Sequence, residues 1–208
     1  MSHAASDERT VQRLEAFSDI VIGFSLAQLG ASLAFTKPAM TLDAGGVAAF
    51  IISFAIVCSL WYFHHRLFER FFVPTALPIV LNFVWLANVV LLVFVSVHSA
   101  GTGFAERNPT LLYFGLYGLA YAILAVQTAL GMRERPAADP ALRLKGIGNI
   151  CFMTYWALVF CAAFALVDQM PWSNSIGGDL SMTFGIGAAG SILMSIYFRR
   201  KKAALTNA

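Results

Sequence analysis

The sequence predicts an all-α membrane protein of six transmembrane helices, with both termini cytoplasmic. Three observations predict it. Only 12% of the 208 residues are charged and 59% are hydrophobic, with a mean hydropathy of +0.72, whereas a soluble domain carries about 25% charge. Six stretches, almost free of charge, each approach the roughly 20 residues that a bilayer-spanning helix needs. The basic residues also alternate from one connection to the next. With the N-terminus inside, the inner segments hold twelve: Arg9, Arg13, Arg66, Arg70, Arg133, Arg135, Arg143, Lys145 and the run from Arg199 to Lys202. The outer loops hold only Lys37 and Arg107. That is the positive-inside pattern, and six crossings return the C-terminus to the side its basic cluster requires.

The first span, residues 17–36, is interrupted by Gly23, Ser25, Gln28, Gly30 and Ser32. A helix that carries small and polar residues into a bilayer faces protein or water rather than lipid. This segment is therefore expected to line a conduction path. Asp7, Glu8, Glu15 and Asp19 oppose the basic leader of a cleaved signal peptide, so the segment is expected to be retained. The second span is 47–65, and the third, 77–98, follows Pro74 and Pro78. The fourth is 111–131, the fifth 147–167 and the sixth 180–198. Residues 1–202 thus read as a single six-helix domain, with 203–208 a short cytoplasmic tail.

Lys37-Pro38, Gly45-Gly46, Asn108-Pro109, Asp139-Pro140 and Gly177-Gly178 read as short loops, and the longest connection runs from Met132 to Lys145. Gly185, Gly187, Gly190 and Ser191 on the sixth segment allow close approach to a neighbouring helix of the same chain. No internal repeat is visible. Cys58, Cys151 and Cys161 sit in apolar runs without metal spacing and are expected to be small buried hydrophobes.

Two polar groups converge on the inner face. One is Arg13-Leu-Glu-Ala-Phe17-Ser18-Asp19, at the start of the first span. The other is Trp61-Tyr-Phe-His64-His65-Arg66-Leu-Phe68, at the end of the second, with Ser53-Phe54 further up the same segment. A buried Asp19 carboxylate needs partners. Arg13, Ser18 and an imidazole are the candidates, and Asn82 at the inner end of the third span can join them. The expected result is a polar cluster that pins three helices together. Adjacent histidines point about 100° apart on a helix and chelate poorly, so no metal is expected. His98 lies at the opposite end of its span, and His3 in a terminus expected to be disordered. Asp168 and Asp179 read as solvated loop charges. The chain has no His-Glu-x-x-His, no Gly-x-Ser-x-Gly and no phosphate-binding glycine loop. Neither an enzyme activity, a cofactor nor a nucleic-acid partner is expected.

Arg-x-x-x-Phe-Ser-Asp on the first helix, with Ser-Phe and Trp-x-x-His-His-x-x-Phe on the second, resembles the prokaryotic branch of the transmembrane protein 175 family. These are potassium-permeable channels related to a lysosomal potassium channel. The resemblance implies a six-span subunit of a homotetramer, with the first helix of each subunit around a central pore. It also implies that no carbonyl-lined filter loop is present, and the chain indeed contains no Thr-Val-Gly-Tyr-Gly. The family's narrowest ring lies five residues after the motif aspartate, with further rings one and two turns later. On this chain those positions are Phe24, Gln28 and Ala31, which share one helix face. The chain departs from the family's pattern at Ile20, usually glycine; at Phe24, usually isoleucine; at Gln28, usually leucine; and at Ala27, often threonine.

The expected function is that of a tetrameric cation channel in the cell membrane, with lipid and monovalent cations as its partners and potassium as the permeant ion. A non-conducting membrane scaffold of the same fold and a small-molecule or ion carrier are the alternatives.

Overall fold

Within a bilayer core every backbone N–H and C=O must be satisfied inside its own segment, so apolar stretches of this length form helices. The computed structural model describes residues 3–35, 44–101, 107–134, 139–166 and 176–206. These form six helices, and no strand occurs among the described residues: α1 (His3–Phe35), α2 (Ala44–Arg70), α3 (Ala76–Gly101), α4 (Arg107–Glu134), α5 (Pro140–Leu166) and α6 (Ile176–Thr206). Among the described residues, four helices contain a stretch long and apolar enough to cross a membrane: Asp7–Ala31, Ala76–Ser96, Leu111–Glu134 and Pro140–Ala165.

The helices are longer than the spans expected of them, and the difference lies in the punctuation. Gly45-Gly46, Asn108-Pro109 and Gly177-Gly178 are not loops but the first turns of α2, α4 and α6. The first four N–H groups of a helix have no intrahelical acceptor, so a proline there forfeits nothing and a glycine loses little. Asp139-Pro140 is a helix start of the same kind. Asp139 caps α5 by accepting the Ala141 N–H at 2.8 Å, and Pro140 opens the helix. The connection expected from Met132 to Lys145 shortens accordingly, because α4 continues to Glu134 and α5 begins at Pro140. His3 is the first residue of α1 rather than part of a disordered terminus, and α6 runs on to Thr206. Thr36, Lys37-Pro38, Val167, Asp168 and the side chain of Asp179 lie outside the described residues.

Packing follows a simple order. α4 lies among α2, α3 and α5; α1 leans on α2 and α3; α6 packs on α5. Trp85, Val89 and Leu92 of α3, Tyr117 and Leu124 of α4 and Phe160 of α5 are fully buried. Phe160 stacks on Tyr117 at 5.0 Å and on Trp156 at 5.5 Å, so aromatic rings fill the α4–α5 interface.

The α5–α6 seam works differently from the expected close approach of backbones. Gly187 and Gly190 face the rings of Trp156 and Tyr155, which occupy the space a side chain would take. Trp156 Nε1 donates to Ser191 Oγ at 3.0 Å, and Tyr155 Oη donates to the Ile186 carbonyl at 2.5 Å. Gly187 and Gly190 are thus sockets for aromatic knobs of the same chain, whereas Gly185 faces open space.

The outer surface is apolar too. Phe94 is 63% exposed, Leu158 64% and Leu193 69%, as suits helices whose outward solvent is hydrocarbon. Cys151 and Cys161 lie on this outward surface and are exposed, while Cys58 is partly covered. The expectation that all three are buried fails because apolar character no longer marks the inside of a membrane protein.

Gly131 shows where packing is least forgiving. A Cβ there would fall on the carbonyl oxygen of Phe71, a backbone atom that cannot rotate away. At Gly115 the nearest atom would be Phe164 Cδ2, at an ordinary 3.7 Å. Gly131→Ala should therefore lower stability by about 1–3 kcal/mol, whereas Gly115→Ala should change it by less than about 0.5 kcal/mol. Thermal unfolding of the two variants in the same detergent checks this, and equal midpoints would refute it.

Candidate functional site

Two features of α1 carry the functional argument. They are the junction it makes with α2 and α3, and the face it turns away from them. Both follow from the rotation of α1. Ser18, Ile22, Ser25 and Leu29 recur every three or four residues, share one face, and are all buried. Ser18 and Ser25 donate to the carbonyls of Leu14 and Val21 at 2.7 and 2.8 Å. Their hydroxyl protons are thereby satisfied within the helix, which lets them pack against α2 and α3. Two of the polar residues that marked this segment thus face protein rather than water.

The junction is a directed chain of hydrogen bonds. Ser18 Oγ spends its proton on Leu14, so it accepts from Asn82 Nδ2 at 3.2 Å. Asn82 therefore presents its Oδ1 to His64 Nε2, 2.8 Å away. An oxygen acceptor there requires His64 to carry its proton on Nε2. Each donor along the chain then has an acceptor, from α2 through α3 to α1. Ser18, His64 and Asn82 are all completely buried. His64 is further clamped between Trp85, stacked at 4.4 Å, and Phe68 at 4.7 Å. A neutral imidazole in this setting is a structural bridge.

A second layer closes the junction from outside. Trp61 Nε1 donates to Asp19 Oδ1 at 2.8 Å, and Trp61 stacks on His65 at 5.8 Å. His65 Nδ1 lies 2.9 Å from Glu15 Oε1. Phe17 meets Phe83 of α3 at 6.1 Å. Asp19 is thus an exposed carboxylate held by an indole, not a buried one seeking an imidazole. Arg13 is exposed and stands outside the network. Glu15 is a member that sequence reasoning missed. The signal was present, because it lies one turn before Asp19 on the same helix face.

The other face of α1 is uncovered among the described residues. Ile20 is 70% exposed and Phe24 73%, and Gly23, Ala27, Gln28 and Ala31 are exposed beside them. Phe24, Gln28 and Ala31 fall together on this outward face, away from Ser18 and Ser25. From Ile20 to Ala31 the helix carries no charged residue. Among the described residues no three His, Cys, Asp or Glu side chains gather as metal ligands.

Residues 13–92 match the family model described as endosomal/lysosomal potassium channel TMEM175. The match is to a family of potassium channels, and it spans less than half of the 208 residues. The likeness of this segment is to an ion-channel family. With four helices apolar enough to span, the chain is a multi-pass membrane protein. The TMEM175 match begins at Arg13 and ends at Leu92, so it takes in the whole junction and the outward face of α1. No curated protein and no solved structure matches the chain.

The geometry ranks the members of the junction. Asn82→Leu strips an acceptor from His64 and a donor from Ser18 and should cost about 1–3 kcal/mol. Trp61→Phe removes a bond to an exposed carboxylate and should cost less than about 1 kcal/mol. Unfolding midpoints in detergent test the order. A Trp61 variant as unstable as the Asn82 variant would place the weight of the junction at its rim.

Proposed function

We propose that the chain is one subunit of a homotetrameric, potassium-permeable cation channel of the cell membrane, and that α1 lines its central path. The observation that carries this reading is the uncharged outward face of α1 with Phe24, Gln28 and Ala31, held at a fixed rotation by the buried junction. Four such faces around an axis form rings spaced by about 6 Å and 4.5 Å along the path. The Phe24 ring is the constriction. Apolar side chains in a narrow pore expel water and close it to hydrated ions. The Gln28 ring follows one turn on, where four amide oxygens can replace water around a monovalent cation. Selectivity then arises from side chains of a helix and not from a carbonyl loop.

The same reading assigns the remaining parts. All six helices cross the bilayer, α2 and α6 included, within a single domain through residue 202. The twelve basic residues on the inner connections, against two outside, support cytoplasmic termini. Arg13, Phe17, Ser18, Asp19, Trp61, His64, His65 and Asn82 then stand at the cytoplasmic end of the path, with a structural role. No cofactor takes part. The bulk of Phe24 specifically favours a second reading, a non-conducting scaffold of the same fold.

Potassium flux from loaded liposomes separates the two. The channel reading expects flux above that of empty vesicles, and a several-fold rise with Phe24→Ala as the constriction widens. No flux from either protein would favour the scaffold. Saturable, counterflow-stimulated uptake would instead identify a carrier. Asp19→Ala and Trp61→Ala should lower the yield of tetramer and leave the potassium-to-sodium ratio of the remaining assemblies unchanged. Normal assembly with an altered ratio would move these residues from anchoring into the conduction path.

A further inference from the structure

A cavity of about 500 Å³ opens at the basic end of the bundle, where α2, α5 and α6 meet. It lies outside the segment that carries the family match, apart from its α2 wall. Its lining has two characters. One side is aromatic and apolar. Phe63 of α2 and Phe152 of α5 meet at 4.9 Å, and Phe198 of α6 lies against Gly148, where the absent side chain leaves room for its ring. The other side is cationic, with Arg70, Lys145, Arg199 and Lys202 from three helices.

Lys145 is held below its ordinary value first by partial burial and then by the positive fields of Arg70, Arg66 and Lys202, with Glu69 opposing them. Arg70 is already engaged. Its guanidinium bonds Glu69 at 3.1 and 3.3 Å and holds that carboxyl below its ordinary value. Asp139 is the acid of the lining, and its Oδ1 already caps α5. Gathering like charges around a cavity is unfavourable unless an anion joins them. A free anion would not need the aromatic wall. Arg199 and Lys202 begin directly after the sixth apolar span, at the depth of lipid headgroups.

We infer that this cavity binds one anionic phospholipid, its phosphate held by Lys145, Arg199 and Lys202 and an acyl chain lying along Phe63, Phe152 and Phe198. Basic pockets between helices at this face of a membrane protein suit such headgroups. The lipid would join α6, which otherwise packs on α5, to the α2 side of the bundle. The inference needs the protein's membrane placement but not conduction, so it stands or falls apart from the channel reading.

The test is retention of lipid by the full chain purified in detergent, read by native mass spectrometry without any flux measurement. Dioleoyl phosphatidylglycerol, dioleoyl phosphatidylcholine, oleate and inorganic phosphate are titrated separately. Phosphatidylglycerol should be retained in preference to phosphatidylcholine, and Arg199→Gln with Lys202→Gln should weaken it about thirtyfold. Asp139→Asn keeps a good helix cap and removes the opposing charge, so it should tighten retention about fivefold. That variant preserves the test if the double glutamine variant does not fold. Equal retention of the two phospholipids, equal binding of inorganic phosphate or oleate, or no gain with Asp139→Asn would each overturn the inference.

Discussion

One buried amide holds α1, α2 and α3 in register. Asn82 donates through Nδ2 to Ser18 on α1 and accepts at Oδ1 from His64 on α2, so both ends of its amide are engaged across helix boundaries. In hydrocarbon an unmatched polar group is expensive, and apolar contact alone gives little preference for one helix rotation over another. A directional chain of hydrogen bonds supplies that preference. With Ser18 fixed inward, Phe24 is turned by about 120° from the junction and the rest of the uncharged face with it. The identity of the outward residues is therefore set by a contact on the opposite side of the helix.

Energetics and dynamics divide along the same line. The junction is double: a dry inner chain through His64, Asn82 and Ser18, and a wetter outer layer through Trp61, Asp19, His65 and Glu15. The inner chain makes α1 costly to rotate, because rotation would strand several buried groups at once. The outer layer is the more exposed, with Trp61 and Asp19 both open on one side, and its contacts are the more easily exchanged. At the other edge of the bundle α6 depends on aromatic rings of α5 seated against Gly187 and Gly190. That is packing of shape, adaptable in a way that the junction is not. The two edges of the protein are thus fastened by different physics.

Much of this was legible in the amino-acid order. The six apolar runs locate the helices, and Arg13 through Asp19 together with Trp61 through Phe68 identify the segment whose family match was found. What remained hidden has physical causes. Glycine and proline pairs announce a break in the chain without saying whether a helix ends or begins there, and at Gly45-Gly46, Asn108-Pro109 and Gly177-Gly178 helices begin. The exposure of Cys151 and Cys161 was hidden because both faces of a membrane helix are apolar, which erases the amphipathic stripe that marks the inside of a soluble protein. The exchange of partners, with Asp19 going to Trp61 and His65 to Glu15, turns on helix rotation. Spacing alone does not fix which of two acids one turn apart meets which ring.

The length of α1 has a mechanical consequence. Its 33 residues make a rod of about 50 Å, well beyond the roughly 30 Å of a hydrocarbon core. No proline interrupts it between His3 and Phe35, and proline is the commonest cause of a sharp kink. The first two turns therefore project past the junction as a stiff handle. Torque applied to that handle meets the Ser18–Asn82 contact before it reaches the turns that bear Phe24 and Gln28, so the junction shields their rotation from the N-terminal end.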